Sequence, residues 1–228
     1  MTDRNTKEKV CWIVGAGPCG GLEKEGFAPI EGDYIIAADG GLRYLEEIGV
    51  KPDLVVGDFD TLGYEPEYEN VVRLQVMKDW TDTFVSMEKG LERGYKTFVF
   101  FGCLGGKLEH TMANLQHLAW LAERGCRGWM TDGRVWAAAI CGGTPACGAK
   151  SAKLTLPLQQ EGMVSVFAIG GPAEGVIISG LKYGLQDGEL SSSFPLGVSN
   201  EFTGEKGEIG VRNGTLLIMA ELPGPVIE

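Results

Sequence analysis

Acidic side chains occur in three short segments of this chain, each directly after a run of apolar residues. They are Asp39, then Asp58 with Asp60, then Asp79 with Asp82. Open α/β sheets bind ligands beyond the carboxyl ends of their strands, so three such segments are expected to converge on one sheet edge. Mg²⁺ takes one or two carboxylates and fills its remaining positions with water and substrate phosphates. The pattern therefore predicts a site for a metal-bound phosphate.

A single Asp-x-Asp pair has a plainer explanation, because acidic residues are common in solvated turns. Thr81 or Asp82 also has an alternative role as the N-cap of the helix that follows. Capping uses one of these two residues and leaves Asp79 and the other residue unexplained. Three acidic segments together therefore favour a binding site.

Composition narrows the function further. The chain has 228 residues, 44% of them apolar, and a formal net charge of -11. Backbone binding to nucleic acid needs clustered Lys and Arg, which the sequence lacks, so a nucleic-acid partner is disfavoured. No apolar run approaches the roughly 20 residues of a membrane helix, and residues 1–9 are polar, so we expect a cytoplasmic protein with no membrane association. The six cysteines never form Cys-x-x-Cys, which favours reduced thiols over zinc or disulfides.

Strand-like apolar runs alternate with helical patterns as far as residue 131, which predicts an α/β domain with a mostly parallel sheet flanked by helices. The expected strands are Val10–Val14, Tyr34–Ala38, Leu54–Val56, Asn70–Val76, Thr97–Phe101 and Gly128–Thr131.

Gly15 to Gly20 formally match the dinucleotide fingerprint G-x-G-x-x-G. That motif must open a helix, and the glycine- and proline-containing stretch after it has no helical periodicity. A loop that lines a phosphate site is the better interpretation.

A second glycine-rich segment, Gly105-Gly106-Lys107, precedes a predicted helix. Backbone N–H groups and the helix dipole favour anions at such a place, and Lys107 adds a positive charge. His110 near the start of that helix is a candidate site residue, whereas His117 is expected to have a packing or surface role.

From Val135 onwards short β-rich runs replace the helical patterns, separated by Gly, Pro, Asn and Asp. They include Leu190–Ser193, and Arg212–Thr215 around Asn-Gly is typical of a two-residue hairpin. We therefore expect residues 1–134 to form the α/β nucleotide-binding domain and residues 135–228 to form an antiparallel β-sandwich or barrel.

The order of these segments resembles the thiamine pyrophosphokinase (thiamine diphosphokinase) family. The resemblance is carried by Ala38–Gly41, Pro52–Asp60, Lys78–Asp82, Gly102–Asn114, Gly180–Tyr183 and Gly197–Glu201. It implies an N-terminal α/β domain and a C-terminal β-sandwich that binds thiamine. It also implies a homodimer with active sites between subunits, and Mg²⁺-dependent transfer of the pyrophosphoryl group of ATP to thiamine, releasing AMP.

The resemblance also implies roles for individual residues. Catalytic and metal-binding roles fall to Asp58, Asp60 and Asp82. ATP-binding roles fall to Asp39, Gly40, Lys78, Asp79, Thr81, Gly105, Gly106, Lys107 and His110. Thiamine-binding roles fall to Tyr183, Ser199, Asn200 and Glu109.

Three residues depart from the family pattern: Lys107 replaces the usual Arg, Glu109 replaces Asp, and Gly184 replaces Pro. The change to lysine affects how the phosphates are bound, because lysine is a point charge without the bidentate fork of arginine. Two alternatives stay open: a diphosphokinase for another small alcohol such as a hydroxymethylpterin, and a non-catalytic nucleotide-binding module.

Overall fold

The computed structural model describes residues 8–60, 62–75, 80–145 and 147–227. The chain divides into two compact units. The first contains the residues up to Asn114 together with Met130–Gly133, and the second contains Leu115–Trp129 and Arg134–Ile227. The domain boundary at residue 134 stays a prediction. No helix in the described residues is long and apolar enough to cross a membrane.

The first unit is an α/β structure whose elements follow the apolar runs of the sequence. Its strands are β1 (Val10–Val14), β2 (Tyr34–Ala38), β3 (Leu54–Gly57), β4 (Val71–Arg73) and β5 (Thr97–Phe101). Its helices are a 3₁₀ turn (Asp39–Gly41), α1 (Leu42–Glu47) and α2 (Asp82–Glu92). Helix α3 (Leu108–Ala122) and strand β6 (Arg127–Thr131) contribute residues to both units.

The strands of the first unit are parallel and lie in the order β5-β1-β2-β3-β4. Every residue of β1 and β5 is buried, as expected for the central strands of a covered parallel sheet. The rings of Trp12, Phe27 and Phe101 form an aromatic cluster with centroid distances of 5.3 to 6.0 Å. Because the strands run in one direction, the segments after β1, β2, β3 and β5 leave the sheet at the same edge.

The second unit is an antiparallel β structure. Its strands are β7 (Val135–Gly142), β8 (Ala152–Thr155), β9 (Met163–Ala168), β10 (Ala173–Ser179), β11 (Leu185–Leu190), β12 (Gly197–Glu201), β13 (Glu208–Val211) and β14 (Gly214–Glu221). One set pairs in the order β12-β9-β14-β7, and the other in the order β11-β10-β13-β8. Contacts of β7 with β8 and β13, and of β14 with β10, join the two sets. The fold class expected from the sequence is confirmed.

Two expectations for the second unit are wrong. Arg212–Thr215 does not form a hairpin, because β13 pairs with β10 and β8 while β14 pairs with β7 and β9. The chain instead crosses between the two sets of strands at Asn213-Gly214, where Gly214 has φ +101°. Asn-Gly supplies the unusual backbone conformation both in a hairpin and in a crossing between sets. Only the pairing partners of the flanking strands distinguish a hairpin from a crossing.

The second error concerns the edge strands. The strand expected at Leu190–Ser193 lies earlier, at Leu185–Leu190, and Gly197–Glu201 also forms a strand. Both strands are polar, stand at an edge of their set and contain a left-handed residue, Asp187 or Ser199. Edge strands tolerate polar residues and bulges, so their hydrophobic pattern is weak.

We expect Gly41→Ala to destabilise the first unit, because a Cβ at Gly41 would overlap the backbone carbonyl of Val14 at the end of β1. Neither backbone can move without disturbing the sheet, so the free energy of unfolding should fall by about 3 kcal/mol. Urea denaturation measures this. Gly171→Ala is the control, since a Cβ there meets nothing within 4 Å, and an equal loss in both variants would contradict the packing argument.

Candidate active site

A cavity of about 590 Å³ lies in the first unit, lined by the segments after β1, β2, β3 and β5 and by the starts of α2 and α3. Each segment contributes residues of a different kind. The segments after β2 and β3 supply acids, Trp80 before α2 supplies an aromatic ring, α2 itself supplies Asp82, and the segment before α3 supplies glycines and Lys107.

Carboxylates from two different segments meet in this cavity. Within the described part of the chain, one group of potential metal-binding side chains is found, Asp39, Asp58 and Asp60, whose ligand oxygens all lie within 4.8 Å of one another. Like charges at this distance repel, so the group is unfavourable unless a cation or protons offset it.

The backbone is held in a strained conformation at this cluster. Asp39 has φ +49° and Phe59, between the two other acids, has φ +64°. A left-handed conformation costs a non-glycine residue roughly 1–2 kcal/mol. The Phe59 ring is buried beneath the segment and the Arg73 guanidinium lies 5.5 Å from its centroid. Anchoring Phe59 inward leaves Asp58 and Asp60 on the cavity side.

The cluster fits a hard divalent cation. All its donors are carboxylate oxygens, the ligands that Mg²⁺ prefers. The ligand oxygens of one Mg²⁺ lie at most about 4.2 Å apart, so the three carboxylates, whose oxygens lie within 4.8 Å, need only a small adjustment to share one ion. Asp39 is buried, and its Oδ1 atom has no hydrogen-bond partner. A buried polar atom without a partner is costly, and a bound cation would satisfy it.

Helix α2 brings Asp82 to the same cavity. Thr81 is the N-cap, and its Oγ1 accepts a hydrogen bond from the backbone N–H of Phe84 at 3.2 Å. Capping therefore falls to Thr81, and Asp82 in the first turn lines the cavity outside the 4.8 Å acidic group. Lys78 and Asp79 lie outside the described residues, so their roles stay predictions.

The glycine-rich segment before α3 is held in shape by that helix. Asn114 Nδ2 donates to the carbonyl of Cys103 at 2.7 Å, and Thr111 Oγ1 donates to the carbonyl of Gly105. Gly105 and Gly106 have φ of +77° and +70°, which disfavour any other residue. Lys107 and His110 follow them and also line the cavity, so the structure brings the four predicted residues of this segment together.

The segment after β1 packs directly against this glycine-rich segment. The N–H of Gly15 donates to Phe101, and the N–H of Gly17 donates to Gly102, both at 2.8 Å. A Cβ at Gly17 would lie 2.7 Å from the Gly102 oxygen, so only glycine permits this approach. No helix begins here, which agrees with a loop lining the cavity and not with a dinucleotide fingerprint.

Sequence reasoning missed several lining residues. Trp80 is the clearest: it is 59% exposed, lines the cavity and stacks on Phe84 with centroids 4.8 Å apart and planes at 20°. Its place between Asp79 and Thr81 was the available signal. Asn114 and Cys103 also line the cavity, and burial raises the pKa of the Cys103 thiol to about 12. Cys103 is therefore a protonated thiol at neutral pH.

Two predicted residues of the first unit are described but do not line the cavity. Gly40 is buried in the 3₁₀ turn next to Asp39. Glu109 is exposed in the first turn of α3.

The three predicted thiamine-binding residues of the second unit lie together. Asn200 is buried, its Oδ1 accepts from the N–H of Tyr183 at 2.9 Å, and its Nδ2 donates to the Tyr183 carbonyl at 2.7 Å. The Tyr183 ring is 59% exposed. Ser199, with φ +62°, precedes Asn200 at the bulge of β12. Asn200 therefore fixes the backbone from which the Tyr183 ring projects.

The fold and the cavity define an α/β protein with an acidic site at the carboxyl edge of a parallel sheet, followed by an antiparallel β unit. Residues 30–130 match the family model of the thiamin pyrophosphokinase catalytic domain, and residues 152–216 match that of the thiamin pyrophosphokinase vitamin B1 binding domain. The two models together cover more than two thirds of the chain, which belongs to the thiamin pyrophosphokinase family of pyrophosphotransferases.

Solved structures agree with this fold. Thiamine pyrophosphokinase from Bacillus subtilis is 21% identical with a TM-score of 0.79, covering 93% of this chain and 99% of that one. The enzyme from Geobacillus thermodenitrificans is 23% identical with a TM-score of 0.76, covering 93% and 97%. That from Candida albicans is 13% identical with a TM-score of 0.68, covering 94% and 89%. No curated protein sequence matches this chain significantly.

We expect Mg²⁺ or Mn²⁺ to stabilise the protein through the acidic group, and Asp39→Asn to abolish that effect. Asparagine tolerates the left-handed backbone at this position but removes the charge. A metal ion at a hundredfold excess over its Kd adds about 2.7 kcal/mol of stability, which should raise the Tm by about 5–8 °C.

Thermal denaturation with and without the metal ion measures this shift. Glu67→Gln removes an exposed acid that does not line the cavity and should respond like the parent protein. An equal metal-induced shift in Asp39→Asn would place the ion elsewhere.

Proposed function

We propose that this chain is a thiamine diphosphokinase, which transfers the pyrophosphoryl group of ATP to the hydroxyl of thiamine and releases AMP. The observation that carries the proposal is the group of three acids, Asp39, Asp58 and Asp60, in the cavity of the first unit. The family to which the chain belongs joins a catalytic domain to a vitamin B1 binding domain. Mg²⁺ and ATP are part of the proposal.

Asp39, Asp58 and Asp60 would hold the metal ion, which when bound would neutralise charge on the triphosphate. Phosphoryl-type transfer depends mainly on positioning and charge neutralisation. Lys107 lines the cavity from the glycine-rich segment before α3 and would place a positive charge beside the phosphates. The backbone of Gly105 and Gly106 would approach the phosphates closely, because no side chains intervene.

Asp82 would orient the attacking hydroxyl. It lines the cavity outside the acidic group, in the first turn of α2, where its carboxylate would accept a hydrogen bond from an alcohol. The hydroxyl oxygen would attack the β-phosphorus of ATP in line, the bond to the α-phosphate bridging oxygen would break, and AMP would leave. The hydroxyl proton passes to Asp82 or to solvent, because a loose transition state requires no strong base.

Trp80 would bind the adenine base. The ring stands on the buried Phe84 at the wall of the cavity, two residues from Asp82. An exposed indole with a rigid backing is a suitable platform for a flat heterocycle, since base–aromatic stacking contributes about 1–3 kcal/mol. Stacking also tolerates any base, so Trp80 would add affinity for a nucleotide without choosing adenine over guanine.

In the second unit, Tyr183 would offer its ring to the thiazolium cation of thiamine, a contact worth about 0.5–2 kcal/mol. Lys182 lies 5.5 Å from the centre of the same ring and would repel a second cation, but it pairs with Glu201 at 2.7 Å. Asn200 would act through Tyr183 by holding its backbone. The family resemblance is also the basis for proposing a homodimer with active sites between its subunits.

Two other functions would leave the acidic segments in place. A diphosphokinase for a hydroxymethylpterin needs a different surface around Tyr183 and Ser199. A non-catalytic nucleotide-binding module needs no attacking alcohol at all. The group of acids disfavours the non-catalytic module, because such a group lowers the stability of the fold unless a cation occupies it.

We expect purified protein with Mg²⁺ and ATP to release AMP and form thiamine diphosphate when thiamine is added. Asp58→Asn and Asp82→Asn should lower kcat by about 100-fold or more, because each removes a charge that acts on the reacting groups. Chromatographic separation of the nucleotides and of the thiamine esters measures both products.

The Glu67→Gln variant should stay within about twofold of the parent, in line with a surface change outside the site. AMP release with a hydroxymethylpterin and none with thiamine would replace the proposed substrate. ATP binding without AMP formation from any alcohol would favour the non-catalytic module.

We expect Trp80→Ala to raise the KM for ATP by about tenfold with little change in kcat, whereas Trp80→Phe keeps most of the stacking surface and most of the affinity. Steady-state kinetics with varied ATP at saturating thiamine measures this. GTP should lose affinity by a similar factor in Trp80→Ala, since both bases stack. A change in the KM for thiamine alone would assign Trp80 to the other substrate.

A further inference from the structure

Two cysteines outside the proposed active site lie close together in the second unit. Cys141 is buried near the end of β7, and Cys147 lies six residues later and is partly exposed. Both are reduced in the structure. Neither lines the cavity of the first unit, so the proposed reaction makes no use of them.

Thr144 brings the two cysteines together. The Cys141 sulfur lies 3.4 Å from Thr144 Oγ1, which also accepts a hydrogen bond from the backbone N–H of Cys147 at 3.3 Å. The Cys147 sulfur lies 3.3 Å from the Thr144 carbonyl oxygen. The turn is closed by a 2.9 Å hydrogen bond from the N–H of Gly143 to the carbonyl of Ala149.

Both sulfurs approach the same residue, Cys141 at the Thr144 hydroxyl and Cys147 at the Thr144 carbonyl. Burial raises the pKa of Cys141. Burial acts to raise the pKa of Cys147 as well, but its interactions with Thr144, Ala149 and Cys141 outweigh burial, so the pKa of Cys147 falls below its usual 9.0. By contrast, burial raises the pKa of the partly exposed Cys19 to about 11. Cys147 is thus the partly exposed and more acidic thiol of the two, and Cys141 is a buried thiol that contacts the same residue, Thr144.

We propose that Cys147 and Cys141 form a peroxide-reactive dithiol, in which Cys147 is the attacking sulfur and Cys141 is the resolving one. In the first step the Cys147 thiolate attacks one oxygen of hydrogen peroxide, the O–O bond breaks, and Cys147 sulfenic acid and one water form. In the second step the Cys141 sulfur attacks the sulfenic sulfur, an S–S bond forms, and a second water leaves. The two thiols lose two electrons and the peroxide gains them.

The site suits this sequence of steps. Of the two sulfurs, Cys147 is the partly exposed one that meets peroxide first, whereas Cys141 is 5% exposed and reacts after the first oxidation. A sulfenic acid with a neighbouring thiol condenses to a disulfide instead of advancing to the irreversible sulfinic acid. Thiol reductants would reverse the bond by thiol–disulfide exchange.

The experiment uses the full chain, reduced and then freed of reductant, with hydrogen peroxide added in small excess. Remaining thiols are alkylated and the protein is digested and analysed by mass spectrometry. We expect a 141–147 cross-linked peptide with the loss of two hydrogens, formed before Cys19 is modified and removed by dithiothreitol. A disulfide between other cysteines, or oxidation of Cys147 to sulfinic acid without a cross-link, would overturn the proposal.

Three variants separate the roles of the sulfurs. Cys147→Ser should slow the first thiol oxidation at least tenfold, whereas Cys19→Ser, the matched control, should leave it unchanged. Cys141→Ala should accumulate Cys147 sulfenic acid that dimedone traps. Equal rates in Cys147→Ser and the parent would contradict the assignment, and the parent's peptide map decides the question if the variant at buried Cys141 does not fold.

Discussion

Repulsion among the carboxylates of Asp39, Asp58 and Asp60 is the constraint around which the first unit is built. The acids follow the neighbouring strands β2 and β3. Because these strands are parallel, their carboxyl ends, and therefore the acids, lie at the same edge of the sheet. Two left-handed residues, Asp39 and Phe59, hold the backbone there. Such strain and repulsion persist only where the surrounding structure over-determines the conformation, as at binding sites.

The surrounding structure supplies that rigidity through close approach of backbone segments. The segments after β1 and β5 are joined by backbone hydrogen bonds at Gly15 and Gly17, and Tyr44 donates from its hydroxyl to the Gly17 carbonyl at 2.9 Å. Asn114 holds the glycine-rich segment from the side of α3. The described side chains that line the cavity include acids, a lysine, a histidine and the exposed indole of Trp80.

The second unit handles its polar residues differently. The side-chain amide of buried Asn200 forms hydrogen bonds with the backbone of Tyr183. Packing and hydrogen bonding therefore explain why asparagine occurs here, without a ligand. Ser199 occupies a strained position beside it. The exposed Tyr183 ring therefore projects from a backbone that Asn200 holds in place. The dithiol of Cys141 and Cys147 lies outside this arrangement.

The sequence by itself determined the strands of the first unit, because continuous apolar runs such as Val10–Val14 and Thr97–Phe101 can only be buried, and it determined that acids and glycines follow them. It also identified the family, which the domain comparisons confirm. Tertiary structure alone decided which side chains meet: Asp39 with the Asp58 and Asp60 pair, Trp80 with Phe84, and Asn200 with Tyr183. It also decided that the strands on either side of Asn213-Gly214 do not pair. Local patterns record which residues are buried and how the backbone turns, whereas partners distant in sequence are chosen by the packing of the whole chain.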